Sequence, residues 1–578
     1  MALTIPVIDL FAGPGGLGEG FSAFRPKSSR CHPFKIKVSI EKDSHAHKTL
    51  ELRSFFRQFR ESRVPLDYYK YLRKEITRSE LFKRHPKAAR AAEQEARLAE
   101  LGTTDNANIE RYIADALGPQ RDKPWVLIGG PPCQAYSLIG RSRRRADVPD
   151  NRVLFEADQR HFLYREYLKI IARFKPHVFV MENVKGILSS KIKDEMIFSQ
   201  ILNDLRRPLE ALARDAAVAE GRDVEQQQMP GNQQLLEYQI YSLVVDKPDP
   251  EQLSPSDFII RSEDYGVPQA RHRVILLGVR HDIRKRPHTL TKSRRKIKVE
   301  EVIGDLPPIR STLSKQVDTG RQWRTALCAI TGEPWYIDMA PSPVRRRISA
   351  RLRQINTRLL PGSEFISCRP VPRVMQGHYF DPRLGGVCNH TARAHMISDL
   401  HRYTFASCFA QIHGRSPVLR EFPPLLRPEH ANVQAAVEDD AFDDRFRVQL
   451  AHKPAVTITC HIAKDGHYAI HHDPIQCRSL TVREAARLQT FPDNYFFESS
   501  RTQQYRQVGN AVPPLLAEQI AAIVYSLLRA RIGSNSTVRG GFSRQVPARV
   551  AEQLCFAFAL QVFFFLINEY HLLRPAPS

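Results

Sequence analysis

The sequence has few cysteines and no hydrophobic segment as long as a membrane span requires. Nine cysteines are scattered over 578 residues without a CxxC pair, which excludes a disulfide framework and favours a reducing compartment. The N-terminus lacks a basic segment followed by a long apolar run, so we expect no signal peptide. The most apolar stretch, Leu554–Ile567, is short for a bilayer and contains Gln561. We expect no membrane attachment, and we interpret this stretch as a buried or oligomer-facing helix.

The composition is that of a globular protein with a large excess of positive charge. Hydrophobic residues make up 42% of the chain, the formal net charge is +24 and the sequence pI is about 9.8. A chain of this length has room for roughly two to four domains. Such a charge can simply reflect a solvated surface, but it also favours a polyanionic partner, most often nucleic acid.

Short apolar runs alternate with helical segments in the first half of the chain. This alternation predicts a parallel sheet covered by helices on both faces. A charged insertion at 51–123, with a helix expected near 88–101, should pack at the sheet edge. The candidate strands are residues 5–11, 37–40, 125–128, 177–181, 238–245 and 274–279.

The composition changes after Arg280. A strongly basic segment at 284–298 is followed by a region rich in proline, arginine and histidine, with little periodicity, up to about residue 450. We interpret 281–450 as a second domain of irregular structure. Helical periodicity returns at 481–488 and 514–528.

A glycine-rich loop follows the first strand. Asp9, Leu10 and Phe11 lead into Ala12–Gly18 (AGPGGLG), and Glu41 ends the next strand. Glycines let the backbone approach a ligand closely, a helix N-terminus presents free N–H groups, and a strand-end acid can bind ribose hydroxyls. These features favour an adenosine-containing cofactor, although glycine-rich turns are often purely structural.

Three further motifs lie at strand ends, where open α/β sheets bind ligands. Gly129–Gln134 (GGPPCQ) places Cys133 in a stiff turn after one strand. Met181–Val184 (MENV) ends another, and Gln269–Arg273 (QARHR) precedes a third. Taken one at a time, each motif also has a purely structural interpretation. Cys133 could be a buried thiol, Glu182 a helix cap, and the two arginines of QARHR a solvated basic edge.

Six motifs in this order resemble those of the DNA (cytosine-5-)-methyltransferase family, bacterial type. Besides the four above, Arg478–Gln489 is similar to the helix that braces the family's recognition domain, and Gln507–Pro513 to its closing motif. The resemblance covers about 1–50, 124–190, 238–280 and 454–530. The acidic residue that contacts the cofactor's adenine in this family is not evident here, and Asp115 is a poor candidate.

The resemblance implies a Rossmann-like, S-adenosylmethionine-dependent α/β sheet with a separate target-recognition domain. It implies catalysis by Cys133, Glu182, Arg271 and Arg273. It implies cofactor contacts from Asp9, Phe11, Gly13, Gly15, Gly16, Glu41, Pro131 and Asn510. It implies DNA contacts from Gln134 and Ser137, and we expect Arg141, Arg143, Arg144 and Arg145 to form a loop that closes on phosphates.

The implied reaction methylates C5 of a flipped-out cytosine. A thiolate from Cys133 would add to C6, because cysteine is a strong nucleophile and the addition makes C5 nucleophilic. Glu182 would hold N3 and the exocyclic amine, Arg273 the base carbonyl, and Arg271 the surroundings of the thiol. The base must leave the duplex to be reached.

The expected organisation is a catalytic domain (1–280, with the insertion 51–123), a target-recognition domain (281–453), a return to the catalytic domain (454–532) and a tail (533–578). His390 and His395 near Cys388 fit no standard zinc spacing, and we predict no metal. We expect a monomeric bacterial protein, cytoplasmic and nucleoid-associated, acting on double-stranded DNA, either alone or beside a cognate restriction endonuclease.

Two alternatives stay open. One branch of the family methylates transfer RNA with the same motifs, although the long basic region argues for duplex DNA. A catalytically silent DNA-binding module on this fold is the second alternative, although Cys133, Glu182 and Arg273 are all present.

Overall fold

A central sheet of eight strands organises the protein. The computed structural model describes residues 4–27, 29, 31–103, 105–119, 123–132, 163–192, 195–219, 236–429 and 445–534. The strands are β1 (Ile5–Leu10), β2 (Phe34–Glu41), β3 (Ala96–Leu98), β4 (Val126–Gly129), β5 (Val178–Val184), β6 (Lys191–Ile192), β7 (Glu195–Met196), β8 (Tyr238–Tyr241), β9 (Ile259–Arg261), β10 (Gln269–Ala270), β11 (His272–Arg280), β12 (Thr312–Leu313), β13 (Gly362–Ser367), β14 (Gly386–Thr391), β15 (Ala394–His395) and β16 (Ala455–Val456).

Helices cover the sheet and build the regions inserted between its strands. They are α1 (Gly16–Ala23), α2 (Ser44–Arg57), α3 (Leu66–Leu72), α4 (Arg78–Arg84), α5 (Pro86–Glu95), α6 (Asn106–Leu117), α7 (Leu163–Phe174), α8 (Ile197–Arg206), α9 (Pro208–Ala219), α10 (Val299–Ile303), α11 (Gly320–Cys328), α12 (Pro334–Ile337), α13 (Pro343–Leu352), α14 (Gln376–Tyr379), α15 (Ile397–His413), α16 (Val482–Leu488), α17 (Arg501–Asn510) and α18 (Pro514–Ser534).

The sheet is mixed rather than wholly parallel. Its order is β3-β2-β1-β4-β5-β11-β8, with β9 also paired to β11. The first five strands of this order are parallel, as predicted. The prediction was wrong for β11, which runs antiparallel to β5, β8 and β9. A parallel neighbour needs a long crossover, usually a helix, and residues 242–271 between β8 and β11 contain only one-turn helices and short strands.

One edge of the sheet collects the predicted site. The carboxyl ends of β1, β2, β3, β4 and β5 meet there because these strands are parallel. The antiparallel β11 contributes its start instead, with Arg273 opposite Val184. Glycine-loop, MENV and QARHR residues that are far apart in sequence are therefore neighbours in space.

Alternate strand residues and three helices form the main core. Ile8, Leu127 and Phe179 point from the sheet toward buried residues of α7 and α8, such as Leu168 and Ile201. The apolar face of α7 is the periodic stripe expected of a helix packed on a sheet.

The insertion supplies the edge of the sheet. Phe55 and Tyr68 form a small core with residues from α4 and α5. The helix expected over 88–101 is wrong in its second half, because α5 ends at Glu95 and β3 follows. Ala96 pairs with Ser39 of β2, so pairing with the sheet overrides the helical preference of this segment.

The region after Arg280 has a hydrophobic core of its own. Trp323 of α11, Ile348 of α13 and Leu400 of α15 are fully buried within it. Where this region is described, its strands pair in twos, β12 with β15 and β13 with β14. The 17-residue helix α15 was not expected from the sequence.

One stretch of the described residues, Arg501–Arg529, is long and apolar enough to cross a membrane by length and composition alone. Of its most apolar window, 67% is buried inside the protein. It comprises α17 and most of α18, separated at Pro513, and it packs as core. Leu554–Ile567 lies outside the described residues.

Candidate functional site

The loop after β1 is held in a left-handed conformation beside the end of β2. Phe11, Gly13 and Gly15 have φ values of 55°, 58° and 97°, which glycine adopts readily and phenylalanine rarely does. The Gly13 amide donates to Glu41 Oε2 at 2.7 Å, and the Asp43 amide donates to Oε1 at 2.8 Å. Burial raises the pKa of Glu41. The predicted strand-end acid therefore contacts the glycine loop directly.

The loop has open space on its Gly13 side and hydrogen-bonding groups around it. No atom lies within 4 Å of the position that a Cβ on Gly13 would occupy. Each Glu41 oxygen accepts one backbone hydrogen bond and retains acceptor capacity for a hydroxyl. Gly16 begins α1, whose first amides have no intrahelical partner. This donor and acceptor set fits the predicted ribose-containing cofactor.

Asp9 lies directly behind the loop and is almost inaccessible to water. Its side chain is 1% exposed, and burial raises its pKa to about 8. Neither carboxylate oxygen makes a hydrogen bond of normal geometry with the described residues, although Oδ2 lies against the Gly18 backbone. A neutral Asp9 avoids the cost of burying an unpaired charge.

Residues from the far end of the chain support the loop. A Cβ on Gly16 would lie 2.2 Å from the Val512 carbonyl oxygen, so the two backbones are in contact. Tyr495 donates its hydroxyl hydrogen to the Pro14 carbonyl. Sequence reasoning missed Tyr495, because an aromatic residue in a polar turn carries no signal for a partner 481 residues away.

Arg53 joins this support. It forms a two-bond ion pair with Glu19 of α1, at 2.9 and 2.5 Å, and donates to Asn494 at 3.0 Å. Its guanidinium also lies over the Phe56 and Tyr495 rings, 3.8 and 4.9 Å from their centres. The first helix, the insertion and the segment after α16 are therefore fixed to one another around the loop.

A second acidic residue lies beside Glu41. Leu98 of β3 pairs with Glu41, and Glu100 follows two residues later, with its carboxylate 2.8 Å from Lys42 Nζ. Asp115, by contrast, is an exposed residue of α6. Sequence patterns do not predict Glu100, because they favour a helix where β3 lies. A short edge strand followed by an acidic residue is the signal that could have indicated it.

The end of β5 brings the predicted acid and one predicted arginine together. Arg273 Nε lies 3.0 Å from Glu182 Oε1, and both side chains are about one-seventh exposed. A Cβ on Gly130 would lie 3.1 Å from Glu182 Oε2. The carboxylate therefore packs against the turn that leads through Pro131 and Pro132 to residue 133.

Arg271 is buried next to this pair. It is 1% exposed, lies between β10 and β11, and donates to the Ile458 carbonyl at 2.9 Å. Its Nε has no hydrogen-bond partner among the described residues. Burial, together with the Arg273 guanidinium, lowers the pKa of Arg271. No carboxylate of the described residues forms an ion pair with it, and the Ile458 carbonyl fixes its position.

The structure places the remaining predicted residues as follows. Pro131 is buried at the end of β4, and Asn510 is exposed at the end of α17, two residues before Val512. Cys133, Gln134, Ser137, Arg141, Arg143, Arg144 and Arg145 lie outside the described residues.

His390, His395 and Cys388, which fit no standard zinc spacing, form hydrogen bonds within the protein. His390 is hydrogen-bonded to Thr481 and to the Pro307 carbonyl, each at 2.9 Å. His395 faces Ser479, and Cys388 donates to the Leu72 carbonyl. Across the described parts of the chain, no three His, Cys, Asp or Glu side chains are grouped to hold a metal.

Buried arginines around α16 bind it to neighbouring segments of the chain. Arg478 forms two 2.7 Å bonds with Glu484, and Arg487 binds Asp493 and Asp305. Although burial acts in the opposite direction, the Arg478 guanidinium holds the pKa of Glu484 below its usual range. Arg483 donates to three backbone carbonyls. The segment predicted to brace the recognition region is thus anchored by hydrogen-bonded charges.

Comparison with known proteins gives consistent matches. The family model described as C-5 cytosine-specific DNA methylase matches residues 109–208, 256–330 and 407–525. A Type II methyltransferase of Bacillus paralicheniformis, M.Bpa9945I, is 31% identical over 90% of this chain and 99% of its own length. The DNA (cytosine-5-)-methyltransferase M.ApeKI of Aeropyrum pernix is 24% identical over 70% of this chain and 82% of its own.

Among solved structures, the Entamoeba histolytica methyltransferase EhMeth aligns with a TM-score of 0.35 and 12% identity. That alignment covers 90% of this chain and 98% of that one.

Proposed function

The chain belongs to the C-5 cytosine-specific DNA methylase family, and we propose that it methylates a flipped-out cytosine through a covalent bond from Cys133 to C6. The enzyme is a DNA (cytosine-5-)-methyltransferase of the restriction–modification type. The proposal concerns how its own residues carry out that reaction. The observation that carries it is the Glu182–Arg273 pair, packed against the turn that leads to Cys133.

Cys133 is within reach of this pair by chain geometry alone. Gly130 lies against Glu182, and three residues span at most about 11 Å. A pyrimidine placed between the thiol and the carboxylate would present C6 to the sulfur and N3 to Glu182. The thiolate adds to C6 while Glu182, which takes up a proton from water as it leaves Arg273, donates that proton to N3 and so offsets the charge that builds on the ring.

Arg273 changes partner during this step. In the described structure it is bound to Glu182. When Glu182 turns to the base, Arg273 is released to the base carbonyl, where a cation stabilises the enamine. Arg271, fixed by the Ile458 carbonyl, holds the neighbouring backbone and adds positive potential near the thiol.

The cofactor fits the glycine loop. S-adenosylmethionine, when bound, supplies the methyl group that C5 takes. Glu41 would bind its ribose hydroxyls, the Gly13–Gly16 loop would lie against it, and Pro131 and Asn510 would line the pocket. We add Glu100 as the acid facing the adenine, because it follows β3 directly beside Glu41. After transfer, water takes the C5 proton, the Cys133 thiolate leaves C6, and Glu182 takes its proton back from N3, which yields 5-methylcytosine.

Covalent trapping tests the proposal. Duplex DNA containing 5-fluorocytosine should form a stable adduct with the wild-type protein, because fluorine cannot leave as a proton does. Cys133→Ser should abolish the adduct and retain DNA binding. If no adduct forms on a duplex that the protein methylates, the covalent mechanism is wrong. If Cys133→Ser also loses DNA binding, the thiol is structural.

Two further measurements address the alternatives. Methyl transfer to transfer RNA but not to duplex DNA would overturn the choice of substrate. Absence of methylation at every site in DNA from expressing cells, mapped by bisulfite or nanopore sequencing, would favour a silent DNA-binding module. A cognate endonuclease and a monomeric state stay predictions.

A further inference from the structure

Two segments of the region after Arg280 meet at one surface. A Cβ on Gly320, the first residue of α11, would lie 2.1 Å from the Thr357 carbonyl oxygen, so the two backbones touch. Arg310 strengthens the junction, because its amide donates to the Leu360 carbonyl at 3.0 Å. The loop 314–319 and the loop 356–361 therefore lie side by side.

Four cations project from these segments without a neutralising partner. Lys315, Arg321, Arg324 and Arg358 are exposed, and none forms an ion pair with a carboxylate among the described residues. Residues 308–328 and 353–361 contain one acidic residue, Asp318. Its carboxylate is bound by Arg310 at 2.7 and 3.0 Å. These two segments therefore carry a net positive charge that no carboxylate of their own neutralises, apart from the Arg310–Asp318 pair.

The basic segment 284–298 differs in this respect, despite its higher charge density. Arg286, Arg295 and Lys296 form ion pairs with Asp246, Glu301 and Asp264. Much of its charge is therefore balanced within the protein.

Apolar side chains stand between the cations. Leu360 is 72% exposed and Val317 69%, the two highest values among the large apolar residues described. Each lies three residues from the Gly320–Thr357 contact. The exposed leucine and valine give this surface apolar groups beside its charged ones.

A short path of contacts connects this surface with the catalytic arginines. Arg271 donates to the Ile458 carbonyl at 2.9 Å, and Arg393 donates to the Ile462 carbonyl at 2.8 Å. Arg393 precedes β15, which pairs with β12, and the loop 314–319 follows β12. The surface and the candidate active site are therefore joined through one turn, 458–462.

We propose that Lys315, Val317, Arg321, Arg324, Arg358 and Leu360, together the 315–360 surface, seat duplex DNA beside the target cytosine. The inference rests on the proposed function, because it names the residues that hold the substrate. The cations bind phosphates, which position the duplex. Val317 and Leu360 contact base edges, where a thymine methyl group offers an apolar partner.

The salt dependence of DNA binding tests whether the exposed cations contact phosphates. The variant Arg321→Gln/Arg324→Gln/Arg358→Gln removes three charges from exposed positions. Each lost phosphate contact reduces the slope of log K against log salt by about 0.9, so the slope should become shallower by roughly 2–3. Lys83→Gln/Lys87→Gln/Arg90→Gln is the matched control, because these cations are equally exposed but lie in the insertion. It should leave the slope within about 0.5 of wild type.

The apolar residues are tested separately. Val317→Ser/Leu360→Ser should leave the salt slope unchanged and should reduce the preference for the cognate duplex over a scrambled one by about tenfold or more, as loss of base-edge contacts does. Melting temperatures of all variants should match the wild type, and single substitutions at Arg321 and Arg358 replace the triple if it melts early.

An unchanged slope in the arginine variant, or an equal loss in the control, overturns the proposal. If the arginine variant makes the salt slope shallower for transfer RNA but not for duplex DNA, the surface binds RNA and the proposal for DNA is wrong. Failure of the proposed function is distinguishable, because the wild type would then form no adduct with 5-fluorocytosine duplex at any salt concentration.

Discussion

Replacing Tyr495 with phenylalanine removes one hydroxyl group from beneath the cofactor loop and leaves the ring in place. The ring stays packed against Arg53, so the substitution isolates the hydrogen bond to the Pro14 carbonyl. Burial raises the pKa of Tyr495, so at neutral pH the hydroxyl is protonated and acts as the donor.

The size of the effect follows from burial. Pro14 and Tyr495 are both buried, so the carbonyl cannot recruit water in exchange. Leaving such an acceptor unpaired costs about 1–3 kcal/mol. On the proposal that this loop binds the cofactor in its left-handed conformation, lowering the population of that conformation raises the apparent Kd in proportion. We expect the Kd for S-adenosylmethionine to rise by about 5-fold or more.

Calorimetric titration measures the Kd for S-adenosylmethionine, and steady-state kinetics measure the corresponding KM and kcat. KM for S-adenosylmethionine should rise with its Kd, whereas kcat at saturating cofactor and KM for DNA should stay near wild-type values. Tyr505→Phe is the matched control, because Tyr505 is buried and donates to the Leu480 carbonyl at 2.6 Å, away from the loop. It should lose similar stability without any loss of cofactor affinity.

The reasoning fails if Tyr495→Phe binds the cofactor as tightly as the wild type. It fails equally if Tyr505→Phe weakens cofactor binding to the same degree, because the effect would then be one of general stability.

Four further predictions concern the same site. Glu182→Gln should reduce kcat by about 10²–10⁴-fold, measured as methyl transfer to duplex DNA, because it removes the proton donor for N3. Asp9 has a folded pKa of about 8, above its unfolded value, so its contribution to stability is complete at low pH and declines as pH rises toward 8. Urea unfolding should show a fall of about 1 kcal/mol per pH unit between pH 5 and 8 that Asp9→Asn lacks. Gly16→Ala should lower the melting temperature severely, because its Cβ would meet the Val512 carbonyl at 2.2 Å. Gly13→Ala, whose Cβ meets nothing within 4 Å but whose φ of 58° is left-handed, should cost about 1–2 kcal/mol of stability and should weaken cofactor binding in a calorimetric titration.

The sequence predicted the residues at strand ends better than the contacts behind them. Glu41, Glu182 and Arg273 follow from short motifs whose strands were recognisable. Parallel pairing brings the ends of β2 and β5 to one edge of the sheet, and the antiparallel β11 adds its start there. Glu100 was missed because β3 has only three residues and reads as the end of a helix. Short strands exist only through their partners, which a local pattern cannot show.

The antiparallel direction of β11 and the contacts that support the glycine loop could not be predicted, for the same physical reason. The chain reverses after β8 through turns without a crossover helix, and no residue type marks that choice locally. Tyr495, Arg53 and Val512 reach the loop from distant positions. Their roles depend on long-range packing, which periodicity and motif spacing do not encode.

The contact of Gly16 with Val512 also limits when the glycine loop can complete its packing during protein synthesis. The loop emerges among the first residues, but the backbone against which it packs is synthesised almost five hundred residues later. At about 5–20 residues per second, that interval is roughly 25–100 s. A ribosome-bound fragment therefore has an unfinished pocket, and a prematurely terminated product should be inert even when it contains every residue from Asp9 to Arg273.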